Sequence, residues 1–317
     1  MRYIELEHLG KISLIAYGTA TLGTAIDKEK SFKLLDCFTE NGGNLIDTAH
    51  VYADWLSEEK AVSEKTIGLW MKERKNRENV IISTKGGHPI TPGPYISRLN
   101  RADIEEDING SLKQLQTDYI DIYFLHRDDK TLPVGEIIET LNEIVKSGKA
   151  RSIGVSNWCP DRIREAMAYC REKNYPQICV NQVQFGIAHP NPDGIDPTTE
   201  YMTEEAYNFH KETKLPVFSF SSQSGGYFFM RDESGNPKEN MSYDNPKSRE
   251  KFRLVYELRE KYNCSVAQII VSALCGNEDF LTVPIVGGLE ENQIIDSLKG
   301  ADLKMNQSDV FSLLKRD

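Results

Sequence analysis

Four polar side chains in this sequence each stand where an apolar run breaks off. Asp47 ends the hydrophobic part of LIDT, Lys85 interrupts IISTKGG, His126 ends YFL in YFLHRDD, and Tyr52 lies just beyond Asp47. A carboxylate at the end of a hydrophobic strand costs stability unless a partner compensates it. An ammonium is such a partner, so Asp47 and Lys85 can pair. A tyrosine hydroxyl titrates near about 10, too high for an efficient acid at neutrality, and a nearby ammonium favours its phenolate and lowers that value. Lys85 beside Tyr52 would do this, while His126 can donate a hydrogen bond that orients a carbonyl oxygen. Such a group protonates a developing alkoxide while something else delivers a hydride. No side chain is a hydride donor, so a nicotinamide or flavin is required. Singly, each residue is explained as well by a turn, a cap or a solvated strand end. Their recurrence after successive strands is what marks a site.

Residues so far apart in sequence meet only if the ends of their strands share one face. Short apolar runs predict strands at Ile12–Ala16, Leu45–Asp47, Val80–Thr84, Ile120–Leu125, Arg151–Val155, Ile178–Gln182, Val217–Phe220 and Thr282–Val286. Between them lie amphipathic stretches. In VGEIIETLNEIVKSG, Val134, Ile137, Ile138, Leu141, Ile144 and Val145 form one apolar face, and Gly148 follows as a stop. In RADIEEDINGSLKQLQ, Ile104, Ile108, Leu112 and Leu115 do the same. Eight strands alternating with helices favour a closed (β/α)₈ TIM barrel over a doubly wound sheet, with residues 1–317 read as a single domain. The first ten residues are expected to form a short hairpin capping the barrel floor. Two segments depart from the rhythm. Residues 86–100 hold three prolines and three glycines, and residues 231–247 are polar and turn-rich; both follow strand C-termini, where barrel enzymes carry substrate loops.

Composition narrows the class. A chain of 317 residues, 39% hydrophobic and 27% charged, can bury a full core, and no apolar stretch reaches transmembrane length. The start, MRYIELEHLGK, lacks the h-region of a signal peptide. A net charge of −10 disfavours nucleic acid or an acidic membrane surface as partner. The six cysteines form no C-x-x-C pair and read as reduced thiols of a cytoplasmic protein. The six histidines show no H-x-H or H-x-x-x-H spacing, so a metal hydrolase on the same barrel is disfavoured and no metal site is expected. Oligomeric state is not legible.

Taken together, IDTAHVY, STKGG, YFLHRDD, SIGVSNW and VNQVQF stand in an order and at strand positions that resemble the aldo-keto reductase family over nearly the whole chain. The resemblance implies a catalytic tetrad of Asp47, Tyr52, Lys85 and His126, with Ser156, Asn157 and Gln182 on the nicotinamide carboxamide. It implies an extended dinucleotide across the barrel mouth, consistent with the lack of a G-x-G-x-x-G turn. Phe220, in FSFSSQSGG, would stack on the nicotinamide; Ser221, Ser222, Gln223 and Gly225 would offer backbone N–H groups to the pyrophosphate. At the adenine end the match is IVGGLEENQIIDSL, with Gly287, Gly288 and Gln293 in place. Family members that prefer NADPH often carry Lys, Ser or Arg here; this chain has Gly287, Leu289 and Gln293 at the corresponding places, with Asp296 and Ser297 closing the segment, so Arg249 or a basic residue of the 231–247 loop would have to supply the missing cation. NADPH is the cofactor the family implies, with NADH possible. The substrate is expected to be a small-molecule aldehyde, ketone, quinone-like carbonyl or sugar, with Trp55, His88, Tyr95, Trp158 and Tyr227 as candidate pocket residues. A different class is also open: some proteins resembling this family are slow, cofactor-sensing regulatory subunits of membrane channels.

Overall fold

Alternation of inward and outward side chains, two residues apart along each strand, organises this chain around a closed barrel. The structure, a computed structural model, describes residues 1–90, 93–232 and 234–316. Thr91 and Pro92 of the 86–100 stretch, Glu233 of the 231–247 segment, and Asp317 lie outside the described residues. An antiparallel hairpin of β1 (Tyr3–Leu6) and β2 (Gly10–Ser13) precedes the barrel. The barrel strands are β3 (Ala16–Gly18), β4 (Leu45–Asp47), β5 (Ile81–Gly86), β6 (Ile120–Leu125), β7 (Ala150–Ser156), β8 (Ile178–Gln184), β9 (Val217–Phe220) and β10 (Thr282–Val286). All eight pair in parallel, in chain order, and β10 closes onto β3.

Helices pack outside. They are α1 (Lys28–Glu40), α2 (Val62–Arg74), α3 (Arg101–Leu115), α4 (Val134–Lys146), α5 (Pro160–Lys173), α6 (Glu204–Thr213), α7 (Pro246–Tyr262), α8 (Val266–Cys275), α9 (Glu291–Gly300) and α10 (Gln307–Leu314). In α4 the apolar face expected from the spacing is buried at Val134, Ile137, Ile138, Leu141 and Ile144, and Gly148 follows at φ +76°. The Asn100 side chain accepts from Asp103 N and starts α3. Outward strand residues pack against these helices in two apolar clusters: Ile46 and Ile82 with the side of α1–α5 and α9, and Val183 and Val217 with the side of α7, α8 and α10.

Two strand expectations need correction. The run Ile12–Ala16 is not the first barrel strand: Ile12 and Ser13 belong to β2, and the barrel begins at Ala16. The hairpin accordingly spans Tyr3 to Ser13 rather than the first ten residues. The physical reason is a plug. Leu9, Ile12 and Leu14 join the inward side chains Leu45, Ile81, Ile122, Phe124, Val180, Phe218 and Val283 in a separate core inside the barrel. An apolar run destined for the barrel floor reads in sequence like a strand of its wall. Strand β5 also runs later than Val80–Thr84 and takes in Lys85, so Lys85 is a wall residue rather than one that follows the strand. Among the described residues no helix is long and apolar enough to cross a membrane, and all six cysteines are free.

Ile12 is fully buried, so Ile12→Ala should lower unfolding stability by about 2–5 kcal/mol. Urea denaturation measures the loss. Cofactor affinity, a property of the opposite end, should stay within about twofold of the parent, a difference of roughly 0.4 kcal/mol.

Candidate active site

Leu45 lies inside the barrel, and Asp47, two residues on, takes the same face one layer higher. Lys85 on the neighbouring strand reaches the same layer. Its ammonium has no exposed side-chain surface and donates to Asp47 Oδ2 at 2.7 Å, to the Thr48 carbonyl at 2.6 Å and to the Tyr52 hydroxyl at 3.1 Å. Asp47 Oδ1 accepts from Ser83 Oγ at 2.8 Å and from Gln182 Nε2 at 2.9 Å. Every charge in this cluster is therefore matched by a partner. Ser83 carries a signal in the sequence: it sits two residues before Lys85 and faces the same way. Burial works against the Lys85 charge, yet Asp47 and then Tyr52 outweigh it and hold the ammonium above its usual range.

Tyr52 departs from the sequence expectation. Burial raises its hydroxyl above the ordinary value; Lys85 pulls it down, Asp47 pushes it up again, and the net direction is upward. Asp47 neutralises much of the field that Lys85 would otherwise exert on the phenol. Tyr52 keeps its proton through the neutral range, and a carbonyl oxygen gaining negative charge is what would draw it away.

His126 completes the group. Its ring lies 5.8 Å from that of Tyr52 and 4.7 Å from that of His88, centroid to centroid. Burial, then Arg127, His88 and Lys85, depress it well below the usual histidine range, so the ring is neutral. A neutral imidazole gives one N–H and stays out of the acid–base traffic near neutrality. Its backbone carbonyl is held from two sides, by Arg127 Nη1 at 2.9 Å and Asn157 Nδ2 at 3.0 Å. These same side chains reach the loop before α6: Arg127 contacts Thr198 Oγ1 and Asp196 Oδ2 at 2.8 and 3.1 Å, and Asn157 Oδ1 accepts from Glu200 N at 3.1 Å.

The residues assigned to a dinucleotide differ in what they have left to give. The Ser156 hydroxyl accepts from Asn157 at 3.1 Å and retains its own proton; Gln182 uses only its amide nitrogen, on Asp47. Asn157 is more heavily engaged, through both its amide nitrogen and its oxygen. Phe220 ends β9 and is half-buried, unlike the three buried residues before it. Beyond it Ser221, Ser224, Gly225 and Gly226 all adopt positive φ, the loop form from which backbone N–H groups make anion-binding hollows. Ser224 Oγ is buried with no hydrogen-bond partner, and a Cβ at Gly226 or Gly287 would meet nothing within 4 Å. The Ser224 and Gly226 N–H groups are used within the loop, on the Ser221 and Gln223 carbonyls at 2.7 and 3.0 Å, so the room at Gly226 and Gly287 and the unbonded Ser224 hydroxyl are what this rim offers a dinucleotide. Ser222 points elsewhere, to the Ile285 carbonyl at 2.6 Å, and Gln223 holds Ser297 Oγ at 3.1 Å. Near the adenine end Gln293 Oε1 accepts from Leu289 N at 2.7 Å, and Gly288 lies in the turn before it. Arg249 is engaged by both Asp244 carboxylate oxygens, at 2.7 and 2.8 Å.

The pocket expectation also divides. Trp158 and Tyr227 are buried side chains, with Trp158 Nε1 bonded to the Arg127 carbonyl, and Trp158 borders a cavity of about 130 Å³ together with Pro160, Asn181 and Glu200. Trp55 and Tyr95 are about half exposed, at 52% and 51%, and the Trp55 ring meets Tyr52 edge-on at 6.2 Å. Among the described residues no group of three or more His, Cys, Asp or Glu is placed to hold a metal ion.

The model of the Aldo/keto reductase family matches residues 14–315. The chain belongs to that family. Aldo/keto reductases are NAD(P)-dependent oxidoreductases, and this chain is an enzyme of that kind using a nicotinamide cofactor. It is 28% identical to the uncharacterized oxidoreductase YrpG of Bacillus subtilis, over 97% of this chain and 93% of that one. It is 27% identical to a probable voltage-gated potassium channel subunit beta of Oryza sativa, over 96% and 92%. An aryl-alcohol dehydrogenase [NADP(+)] of Phanerodontia chrysosporium is 35% identical, over 54% of this chain and 44% of its own. The crystal structure of a thermostable aldo-keto reductase with the inhibitor epalrestat superposes with a TM-score of 0.75 at 22% identity, covering 100% of both chains, and shares the barrel fold.

Lys85→Met in this aldo/keto reductase removes the cation bonded to the Asp47 carboxylate, leaving Ser83 and Gln182 to support it. Loss of one partner from a buried pair costs about 3–5 kcal/mol. Chemical denaturation should show a destabilisation of that size, together with slowed turnover.

Proposed function

We propose that this aldo/keto reductase interconverts a small-molecule carbonyl and its alcohol with NAD(P)H, and that Tyr52 gives and takes the proton. The observation that carries this reading is the Lys85 ammonium, which bonds the Tyr52 hydroxyl and the Asp47 carboxylate at once from a fully buried position. A bound nicotinamide would supply the hydride. Phe220 would offer its face to that ring, with Ser156 and Gln182 fixing the carboxamide. His126, neutral and held through its own carbonyl, would hydrogen-bond the substrate oxygen, and Tyr52 would then protonate it. Residues 1–317 would act as one unit, in the cytoplasm, without a metal.

Apolar surface around the mouth favours flat, apolar carbonyl compounds over sugars. Trp55 stands beside Tyr52, and Ile90 and Ile96 on the loop after β5 are 68% and 65% exposed. The likeness to the aryl-alcohol dehydrogenase supports the same substrate class. The likeness to the channel subunit supports a second reading, a slow cofactor sensor. Turnover separates the two.

Tyr52→Phe removes one oxygen and little packing. Stability should fall by about 1–3 kcal/mol, the cost of one acceptor lost from a buried ammonium, while aldehyde reduction should fall about 10²- to 10⁴-fold, the scale of a lost proton donor. Steady-state rates on a panel of aryl and alkyl aldehydes check this. A variant that keeps the parent rate would move the proton to another group, and a parent that reduces none of the panel would favour the sensor.

Cofactor choice is the second test. The turn after β10 offers Gly287, Gly288 and an exposed Leu289, and the cation nearby, Lys30, is paired to Glu290 at 2.5 Å. With Arg249 also paired, a 2′-phosphate gains at most about one charged hydrogen bond, roughly 1.5–3 kcal/mol. The ratio of NADPH to NADH affinity, read by fluorescence quenching, should stay below about a hundredfold.

A further inference from the structure

Behind Tyr52 and Lys85 lies a second pair of ionisable side chains that the chemistry above does not use. Glu64, in the first turn of α2, has no exposed side-chain surface. One of its oxygens accepts from the Thr84 hydroxyl at 2.6 Å, and Thr84 is the residue before Lys85. The other, Oε2, has no hydrogen bond and faces His50 Nδ1 at 3.4 Å. His50 lies two residues before Tyr52, and its backbone N–H donates to the Lys85 carbonyl at 2.9 Å. The imidazole thus belongs to the turn that carries Tyr52, and the carboxylate is fastened to the strand that carries Lys85.

Space for this ring is built into the neighbouring helix. Gly110 of α3 lies where a Cβ would come within 2.6 Å of His50 Cε1. Glycine inside a helix costs about 0.8–1 kcal/mol against alanine, so the vacancy has a price that the ring's seat explains. Ser111 Oγ, beside it, is 3.4 Å from the same Nδ1. A fully buried carboxylate with one oxygen unbonded is costly unless a cation stands against it.

We infer that His50 and Glu64 form a positioning pair: protonated His50, drawn onto Glu64, sets the turn of residues 49–52 against β5 and so places the Tyr52 hydroxyl on the Lys85 ammonium. This rests on Tyr52 being the proton donor. The charged surroundings act in the same sense. Burial lowers the proton affinity of His50, but Glu64, then Asp107 on α3 and Asp54 on its own loop, outweigh it and raise the ring above its usual value. Asp107 is itself bonded to Arg98 at 2.7 Å, and Tyr123 of β6, which faces Asp107 and Glu64, is raised well above its ordinary value and stays neutral. Since the raised value belongs to the folded state, the attraction is complete below about 6.5, the ordinary imidazole value, and is lost as pH rises through the raised one. Tyr52 is also shifted upward, so a limb in the neutral range belongs to His50.

The test is kcat for aldehyde reduction against pH, from about 6 to 9, the range histidine controls. It compares the parent, Tyr52→Phe and the double variant His50→Gln/Glu64→Gln, with cofactor affinity and melting temperature read alongside. The double variant removes both charges and leaves no buried carboxylate stranded. In the parent, kcat should decline on the alkaline side. The double variant should bind cofactor within about twofold of the parent. Its kcat should be lower by about tenfold to a hundredfold, the cost of a misplacement of roughly 1 Å, and flat across the range. Parent-like kcat with the alkaline limb intact would overturn the pairing. If Tyr52→Phe is inactive in that case, the proton assignment survives; an active Tyr52→Phe would remove the assignment itself. Should the double variant not fold, NMR titration of His50 in the parent decides: a value above about 6.5 that coincides with the kinetic limb supports the pair, and a value at or below it overturns it.

Discussion

An ammonium with no exposed surface, set inside a closed barrel beside a carboxylate, is the constraint on which the upper half of this molecule rests. Lys85 would not remain charged there on Coulomb attraction alone, because desolvating both ions costs several kcal/mol each before they attract. It is held because the acceptors come from three directions: Asp47, the Thr48 carbonyl and Tyr52. Asp47 in turn needs Ser83 from the adjacent strand and Gln182 from β8. Asp47 and Ser83 are register partners, so local pairing places that hydroxyl. Gln182 is 135 residues away and arrives only because the sheet closes. Barrel closure and charge satisfaction therefore support each other.

The barrel interior is graded along its axis. The hairpin plugs the floor with Leu9, Ile12 and Leu14, and the middle is aliphatic and aromatic around Phe124 and Phe218. Gly154 leaves room for the Phe124 ring, since a Cβ there would lie 2.5 Å from it. Above this middle layer Asp47, Ser83, Lys85 and Gln182 are buried, and the low dielectric around them strengthens each hydrogen bond among them. Around the rim, Arg127 and Asn157 tie the His126 carbonyl to residues 196–200, so the ring is braced by a loop distant in sequence.

Much of this was legible before any coordinates. Apolar runs alternating with amphipathic helices indicated eight strands and a barrel, and residue types at strand ends singled out Asp47, Tyr52, Lys85 and His126. The inward direction of Asp47 follows from Leu45 by the two-residue period. Strand limits were less legible: period reports which face a side chain takes, not where the wall stops. Ile12 reads as wall because a plug and a strand share the same apolar signature, and Lys85 reads as lying beyond a strand that includes it. Trp158 and Tyr227 stand on strand-end loops yet are buried, because loop position does not reveal burial.

The sequence by itself determined which chemical groups are present, their order along the chain, the fold class and the family, because these depend on residue identity and local period. Tertiary structure alone decided their electrostatic state. Lys85 beside Tyr52 suggests a lowered phenol, yet burial and the opposing Asp47 leave it raised. Arg249 reads as a free cation until Asp244 is seen to hold it. His50 and Glu64 are unremarkable in a row of letters and become a pair only when α2, α3 and β5 enclose them. Charge interactions fall off over a few ångströms and depend on the surrounding dielectric, and neither distance nor dielectric is written in a linear sequence.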